Sequence, residues 1–291
     1  MSTSRTYKLH INQETELRRD LEKSGFLITS AEHAFWRASD KGITVTFYKN
    51  GKLLIQGRET DRLVNYLIEK GLIKADRNIP YPKWIGTDEA GKGDYFGPLV
   101  IAGVLIKEDV GNELLKLGIR DSKELSDNSV QDLAKRIKKL CMYSIVPIGP
   151  QKYNELLSRM KNLNRLLGWG HARVIENILN REICQYAISD QFGDEKYILE
   201  ALMKKGKRLK LEQKPHAETD IGVASASILA RDEFIKRLNR LSQKYSITFP
   251  KGASSEVIRA GKEFIRRYGK DKLGEVAKLH FRTTYEIVKA G

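Results

Sequence analysis

Asp88 and Glu89 stand side by side between a short apolar approach, Trp84-Ile85, and a glycine-spaced lysine loop, Gly91-Lys92-Gly93. A nine-residue apolar run, Pro98 to Ile106, follows. The pattern predicts strand, tight loop and strand, with two carboxylates and a cation at the loop mouth. Carboxylates beside exposed backbone N–H groups and a lysine suit a site that holds divalent metal against phosphate. A charged hairpin turn is the plainer alternative.

Further acids occupy suggestive places. Asp190 closes the apolar stretch Cys184-Gln185-Tyr186-Ala187-Ile188. Ligands in α/β sheets gather at the carboxyl ends of strands, although an Asp there also serves turn chemistry alone. Glu218 precedes the small-residue stretch Val223-Ala224-Ser225-Ala226-Ser227-Ile228, where a helix-capping carboxylate would stand, and Asp220 competes for that role. Asp121-Ser122-Lys123, after Arg120, suits a cap or a phosphate contact. Neighbours in a regular strand face opposite ways, so Asp88 and Glu89 are expected to share a metal only where the strand breaks into its glycine loop. Three or four acids around one or two hard cations would activate water and neutralise a phosphodiester, the chemistry of a metal-dependent phosphodiesterase or nuclease.

The elements that must position these residues fall into two groups. The first ~70 residues read as a small α+β unit. A strand over 7–11 leads to a helix capped by Asn12, carrying Leu17 and Leu21 and ending at Gly25. Ile43 to Tyr48 alternates and meets Leu53-Leu54-Ile55 across Asn50-Gly51, a hairpin signal. A helix over 60–70 follows. Residues 72–83, with Pro80 and Pro82 and no period, read as a linker. Domain 1–78 and domain 79–291 are therefore expected. In the second, after the hairpin of 84–106, strands are expected over 143–148, 183–188 and 209–213. Helices are expected over 126–140, 150–181 and 220–242. An antiparallel opening followed by crossovers argues for a mixed sheet flanked by helices.

Charge is the compositional outlier: 52 Lys+Arg against 37 Asp+Glu, net +15. A polyanionic partner follows, since basic surface concentrates phosphate-bearing ligands. Residues 1–78 hold net +4 and the rest +11, so most of the positive field surrounds the proposed acids. The two cysteines, Cys141 and Cys184, fit neither a disulfide framework nor a zinc site, which points to a reducing cytoplasm. No run approaches 18 apolar residues and no apolar leader is visible, so a soluble protein without a membrane partner is expected.

The run from Asp88 to Leu99 closely resembles the signature of type 2 ribonucleases H, and lysine at position 92 leans to their HIII branch. Support is spread along the chain: Asp121-Ser122-Lys123-Glu124-Leu125-Ser126, Asn162-Leu163-Asn164 with His171, Ser189-Asp190-Gln191-Phe192, His216-Ala217-Glu218, and Ala224 to Asp232. Phe47-Tyr48-Lys49-Asn50-Gly51-Lys52 is similar to the TATA-binding-protein-like extension of many HIII proteins. The resemblance implies a ribonuclease H-like fold with a small N-terminal substrate-binding domain. It implies endonucleolytic cleavage of the RNA strand of RNA/DNA hybrids, leaving 5′-phosphate and 3′-hydroxyl ends. Two ions, Mg²⁺ or Mn²⁺, would be held by Asp88, Glu89, Asp190 and Glu218, the four catalytic acids. Gly91-Lys92-Gly93 would contact the RNA backbone and sense its 2′-OH, with Ser122 and Lys123 also on the substrate. A monomer is expected.

Two other readings stay open: incision at single ribonucleotides in duplex DNA, and a non-catalytic hybrid binder. Lys92 and the N-terminal extension argue against the first. The four acids argue against the second, because carboxylates near phosphate repel it unless metal intervenes. Lys204, Lys205, Lys207, Arg208, Lys210 and Lys214 crowd around Gly206 as a solvated loop or a backbone-binding edge. Arg266, Arg267, Lys270 and Lys272 read as an ordinary helix surface. The five histidines lack metal-ligand spacing, although His216 lies close enough to the acids to touch substrate.

Overall fold

A computed structural model describes residues 3–57, 60–73, 81–119 and 125–289. The chain forms two compact units, Met1–Pro80 and Tyr81–Gly291. The first contains β1 (Thr3–Lys8), α1 (Glu14–Lys23), β2 (Leu27–Thr29), β3 (Ala34–Asp40), β4 (Ile43–Tyr48), β5 (Lys52–Gly57) and α2 (Thr60–Glu69). Its strands form an antiparallel sheet in the order β1-β5-β4-β3-β2. The Asn50-Gly51 hairpin sets the β4–β5 register, with Val45 opposite Ile55 and Phe47 opposite Leu53. Strand alternation buries Ala34, Trp36 and Ala38 and turns Phe35, Arg37 and Ser39 outward. Leu17 and Leu21 of α1 and Leu63, Val64 and Leu67 of α2 close the core on the inner face.

Three boundaries differ from expectation. The first strand occupies 3–8, not 7–11. A short 3₁₀ turn at 11–13 then intervenes, so α1 starts after Gln13 and Asn12 caps nothing. Leu72 and Ile73 are buried in the first core, and the next strand opens at Lys83. A linker over 72–83 is thus too long at both ends, because apolar side chains with core to reach do not stay in solvent.

The second unit contains β6 (Lys83–Ala90), β7 (Leu99–Lys107), α3 (Glu108–Lys116), α4 (Asp127–Leu140), β8 (Met142–Ile148), α5 (Pro150–Met160), α6 (Leu163–Leu179) and β9 (Tyr186–Asp190). It continues with α7 (Lys196–Ala201), β10 (Lys210–Lys214), α8 (Ile221–Tyr245), α9 (Ser255–Tyr268) and α10 (Arg282–Val288). The sheet order is β10-β9-β6-β7-β8. β6, β7 and β8 pair antiparallel, whereas β9 joins β6, and β10 joins β9, in parallel. This is the expected mixed sheet. β7 is buried at every position except Lys107, as a strand covered on both faces must be. The strand expected over 183–188 begins only at Tyr186, and Ile183 is 80 % exposed.

Local chemistry sets the helix ends that matter for the site. Ser126 caps α4 by accepting from the Ser129 N–H, and Asn162 caps α6 by accepting from Asn164 and Arg165. Asp220 caps α8, with Oδ1 accepting from Gly222 and Val223 at 2.8 and 3.0 Å. The start of α8 lies directly on β6. A Cβ at Gly86 would stand 2.0 Å from the Gly222 carbonyl carbon, so neither backbone tolerates a side chain between them.

Candidate active site

Even-numbered residues of β6 face α8 and odd-numbered ones face α6. Trp84 Nε1 donates to Asp220 at 3.1 Å, and Asp88 takes a hydrogen bond from Ser227 of α8. On the other face, His171 of α6 bridges Thr87 Oγ1 at 2.9 Å and Glu89 Oε2 at 3.2 Å. Pairing with β7 stays regular through Ala90. The break expected at Glu89 is therefore absent, and the two carboxylates lie on opposite faces as strand geometry demands. They nonetheless line one cavity, because it wraps around the carboxyl end of the strand.

That cavity, about 320 Å³, is lined by Asp88, Glu89, Asp190 and Glu218 together with Gly91, Asp94, Ser227, Arg231 and Lys251, among others. Asp190 arrives from the end of β9. Its Oδ1 accepts from the Ala217 N–H at 3.0 Å and so fixes the short 3₁₀ turn, Ala217–Thr219, that carries Glu218. The turn opens at His216, held in the left-handed region at φ 55°. The geometry of the two rivals differs: Asp220 is engaged by its helix cap and the Trp84 indole, whereas Glu218 lines the cavity. His216 is exposed, with Nδ1 3.5 Å from Glu218.

Electrostatics separates the adjacent pair. Burial, then the negative charge of Glu89, pushes the Asp88 carboxyl up to about 8, with Asp190 adding to the rise. Burial also works against Glu89. The hydrogen bond and charge of His171, followed by Lys92 at 3.4 Å, outweigh it and hold Glu89 below the usual carboxylate range. Across the cavity, Arg231 and Lys251 share Asp127, at 2.8 and 2.7 Å.

Among the described residues no three His, Cys, Asp or Glu side chains close tightly enough to form a finished metal cage. The donor set still fits a hard divalent cation. It is all carboxylate oxygen, and a cation would offset both the burial and the neighbouring negative charge that push the Asp88 carboxyl up. A larger open groove, about 630 Å³, lies at the other end of β6 between Lys83, Lys107, Asp109 and Glu182. There Lys83 and Glu182 neutralise each other at 2.7 Å, and no group of acids converges.

The glycine loop is partly as expected. Gly91 has φ 87°, and a Cβ there would meet the Pro98 carbonyl oxygen at 2.2 Å. Gly91 lines the cavity; Lys92 stands beside Glu89 with its ammonium 5.8 Å from the Phe192 ring, and Gly93 faces open space. Ser122 and Lys123 lie outside the described residues. Of the basic cluster near Gly206, Lys210 and Lys214 are paired to Glu212.

His171 escaped the sequence reading as a functional group. Its signal was the stretch Asn162-Leu163-Asn164…His171, but its partners lie 82 and 84 residues away. Arg231, Lys251 and Ser227 were likewise unmarked as cavity residues.

A family model described as Ribonuclease HII matches residues 85–284. The ribonuclease HIII of Protochlamydia amoebophila is 44 % identical over 286 residues, covering 96 % of this chain and 95 % of that one. The chain belongs to the ribonuclease HIII family. The ribonuclease HIII of Chlamydia abortus is 41 % identical, with 93 % of each chain covered. Two solved members of the family share the fold. Bst-RNase HIII, crystallised in complex with Mn²⁺, matches with a TM-score of 0.71 at 23 % identity over 99 % of each chain. Aquifex aeolicus RNase H3 matches with a TM-score of 0.58 at 28 % identity, covering 96 % of this chain and 100 % of that one. No helix among the described residues is long and apolar enough to cross a membrane.

Proposed function

We propose that this chain is a metal-dependent endoribonuclease that cuts the RNA strand of RNA/DNA hybrids, with Asp88, Glu89, Asp190 and Glu218 as its acids. The observation that carries the reading is the convergence of these acids, from three separate stretches of chain, on one cavity at the carboxyl ends of β6 and β9. The carboxylates would hold Mg²⁺ or Mn²⁺, two ions with substrate, which supply activation of water and neutralisation of charge at phosphorus.

The chain's own groups prepare that chemistry. His171 orients Glu89 and keeps it ionised; Ser227 holds Asp88; Asp190 fixes the turn that aims Glu218. Arg231 and Lys251 supply positive charge on the facing wall, suited to the phosphates flanking the cut. RNA is told from DNA by its 2′-hydroxyls along a wide, shallow minor groove, which suits the backbone N–H groups of the Gly91-Lys92-Gly93 loop. The N-terminal unit serves to hold substrate near the site. The protein acts as a cytoplasmic monomer, where the buried thiols Cys141 and Cys184 stay reduced.

Three matched labelled substrates test this: a hybrid, an RNA duplex, and DNA carrying one ribonucleotide. Metal-dependent nicking of the hybrid, with 5′-phosphate and 3′-hydroxyl ends, is expected. A 2′,3′-cyclic phosphate would overturn the assignment of water as nucleophile, and preference for the third substrate would move the chain to the single-ribonucleotide reading.

A further inference from the structure

Lys278 is completely buried, which lysine almost never is unless paired with a carboxylate. Here its partners are backbone oxygens. Nζ donates to the carbonyls of Asp94 at 2.7 Å, Gly97 at 2.8 Å and Phe96 at 3.4 Å, while its own N–H donates to Tyr95 at 2.9 Å. One residue thus gathers four consecutive carbonyls of the loop that follows the catalytic strand. Burial drives its ammonium down to about 7, and the Asp94 carboxylate, already engaged by the Gly252 N–H, offsets this only in part. Nothing in the proposed chemistry uses this cation.

The clamp is built from both sides. The Gly97 N–H donates to Val276 and the Tyr95 N–H to Gly252, so residues 94–97 are held between the 276–279 segment and the turn after α8. The segment is itself tied down by Asn154 of α5, whose amide donates to the Ala277 carbonyl and accepts from the Leu279 N–H, both at 2.9 Å. At the start of the loop the Asp94 N–H closes a tight turn on the Gly91 carbonyl at 3.3 Å. Among the described residues neither the Lys92 nor the Gly93 N–H finds an acceptor. Successive unpaired backbone N–H groups in a tight turn are an anion-facing concavity.

We propose that Lys278 is a positioning residue for substrate: by collecting the carbonyls of residues 94–97 it sets the loop so that the Lys92 and Gly93 N–H groups face the nucleic-acid backbone. The proposal rests on the hybrid-cleaving reading above. It differs from a simple folding anchor in where its loss is felt. An anchor lowers the amount of active enzyme. A positioning residue for a backbone grip lowers affinity at an undiminished chemical step.

Lys278→Met keeps the length and removes the donors. Two measurements follow: amide hydrogen exchange of residues 91–97 without substrate, and KM and kcat on a labelled hybrid with full-length protein. Exchange in the loop should rise by about tenfold or more while α8 keeps its protection, and KM should rise about tenfold with kcat within about threefold. Asn154→Ala loosens the 276–279 segment without emptying a buried charge site and should give the same split at smaller size, which keeps the test usable should Lys278→Met fold poorly. Unchanged loop exchange, or a fall in kcat at unchanged KM that follows the unfolded fraction, overturns the proposal. Failure of the unsubstituted protein to cut hybrids sinks the function instead, and the exchange result stands apart from it.

Discussion

Glu218 and Asp220 are two residues apart and chemically alike, yet the structure gives them separate work, and replacing each in turn should separate stability from activity. Asp220→Ala removes the acceptor of three N–H groups, those of Gly222, Val223 and the Trp84 indole. Losing an N-cap carboxylate costs about 1 kcal/mol. Taking the carboxylate away from the buried Trp84 indole N–H adds about 1–3 kcal/mol. Together these lower the melting temperature by roughly 4–16 °C for a unit of this size. Asp220→Asn keeps an oxygen in place and should be mild in both respects. Glu218 has the exposed His216 beside it, so Glu218→Gln should change stability by less than about 0.5 kcal/mol. Hybrid cleavage should nevertheless fall by about 100-fold or more, as expected for a lost ligand to a catalytic ion. Calorimetry and nicking of a labelled hybrid, on the same preparations, read both quantities. A folded but dead Asp220→Asn beside an active Glu218→Gln would mean that the fourth acid has been misassigned.

Asp190→Asn should abolish cleavage yet leave hybrid binding intact or tighter, since it deletes one negative charge facing phosphate while an amide oxygen can still accept from Ala217; fluorescence anisotropy that showed binding lost with activity would count against this. Removing residues 1–80 should raise KM and alter its salt dependence, with single-turnover cleavage at saturating hybrid kept within about tenfold. A collapse by several orders of magnitude in a still-folded fragment would mean that the small unit completes the site. Lys278 gives a pH test. Its ammonium falls from 10.5 to about 7 on folding, so between those values the unfolded chain holds a proton that the native state has shed, and stability rises with pH. From pH 7 to pH 9 the gain is about 2 kcal/mol. It should appear as a steeper rise in melting temperature for the parent than for Lys278→Met, and equal slopes would refute it.

The hairpin of 83–107 was readable because its signals are local: an unbroken apolar run, and glycines where the chain reverses. The rule that neighbouring strand residues diverge also held. What failed was the deduction that a shared site then requires a broken strand, since a cavity at a strand end can reach both faces. The residues alone left Glu218 and Asp220 as rivals, and only the family resemblance favoured Glu218, because Trp84, which engages Asp220, is 136 residues away. His171 sits on the buried face of a largely apolar helix, and no period announces that its ring meets Thr87 and Glu89. Lys278 looks like any other basic residue in a chain rich in them. Leu72 and Ile73 read as linker only because a neighbouring proline pair masked two core side chains.

The clamp on the loop also fixes an order of events. Lys278 follows Asp94 by 184 residues. At synthesis rates of about 5–20 residues per second, the acids of β6 leave the ribosome roughly 10–40 s before the residue that gathers the neighbouring carbonyls. A nascent chain can pair β6 with β7, seat α8 and bring all four carboxylates together while the loop beside them is still unfastened. On that order the acid-bearing half of the cavity is synthesised before the segment that fastens the loop beside it. A chain interrupted between the end of α8 and Val276 would carry every proposed catalytic acid and lack the strap beside them.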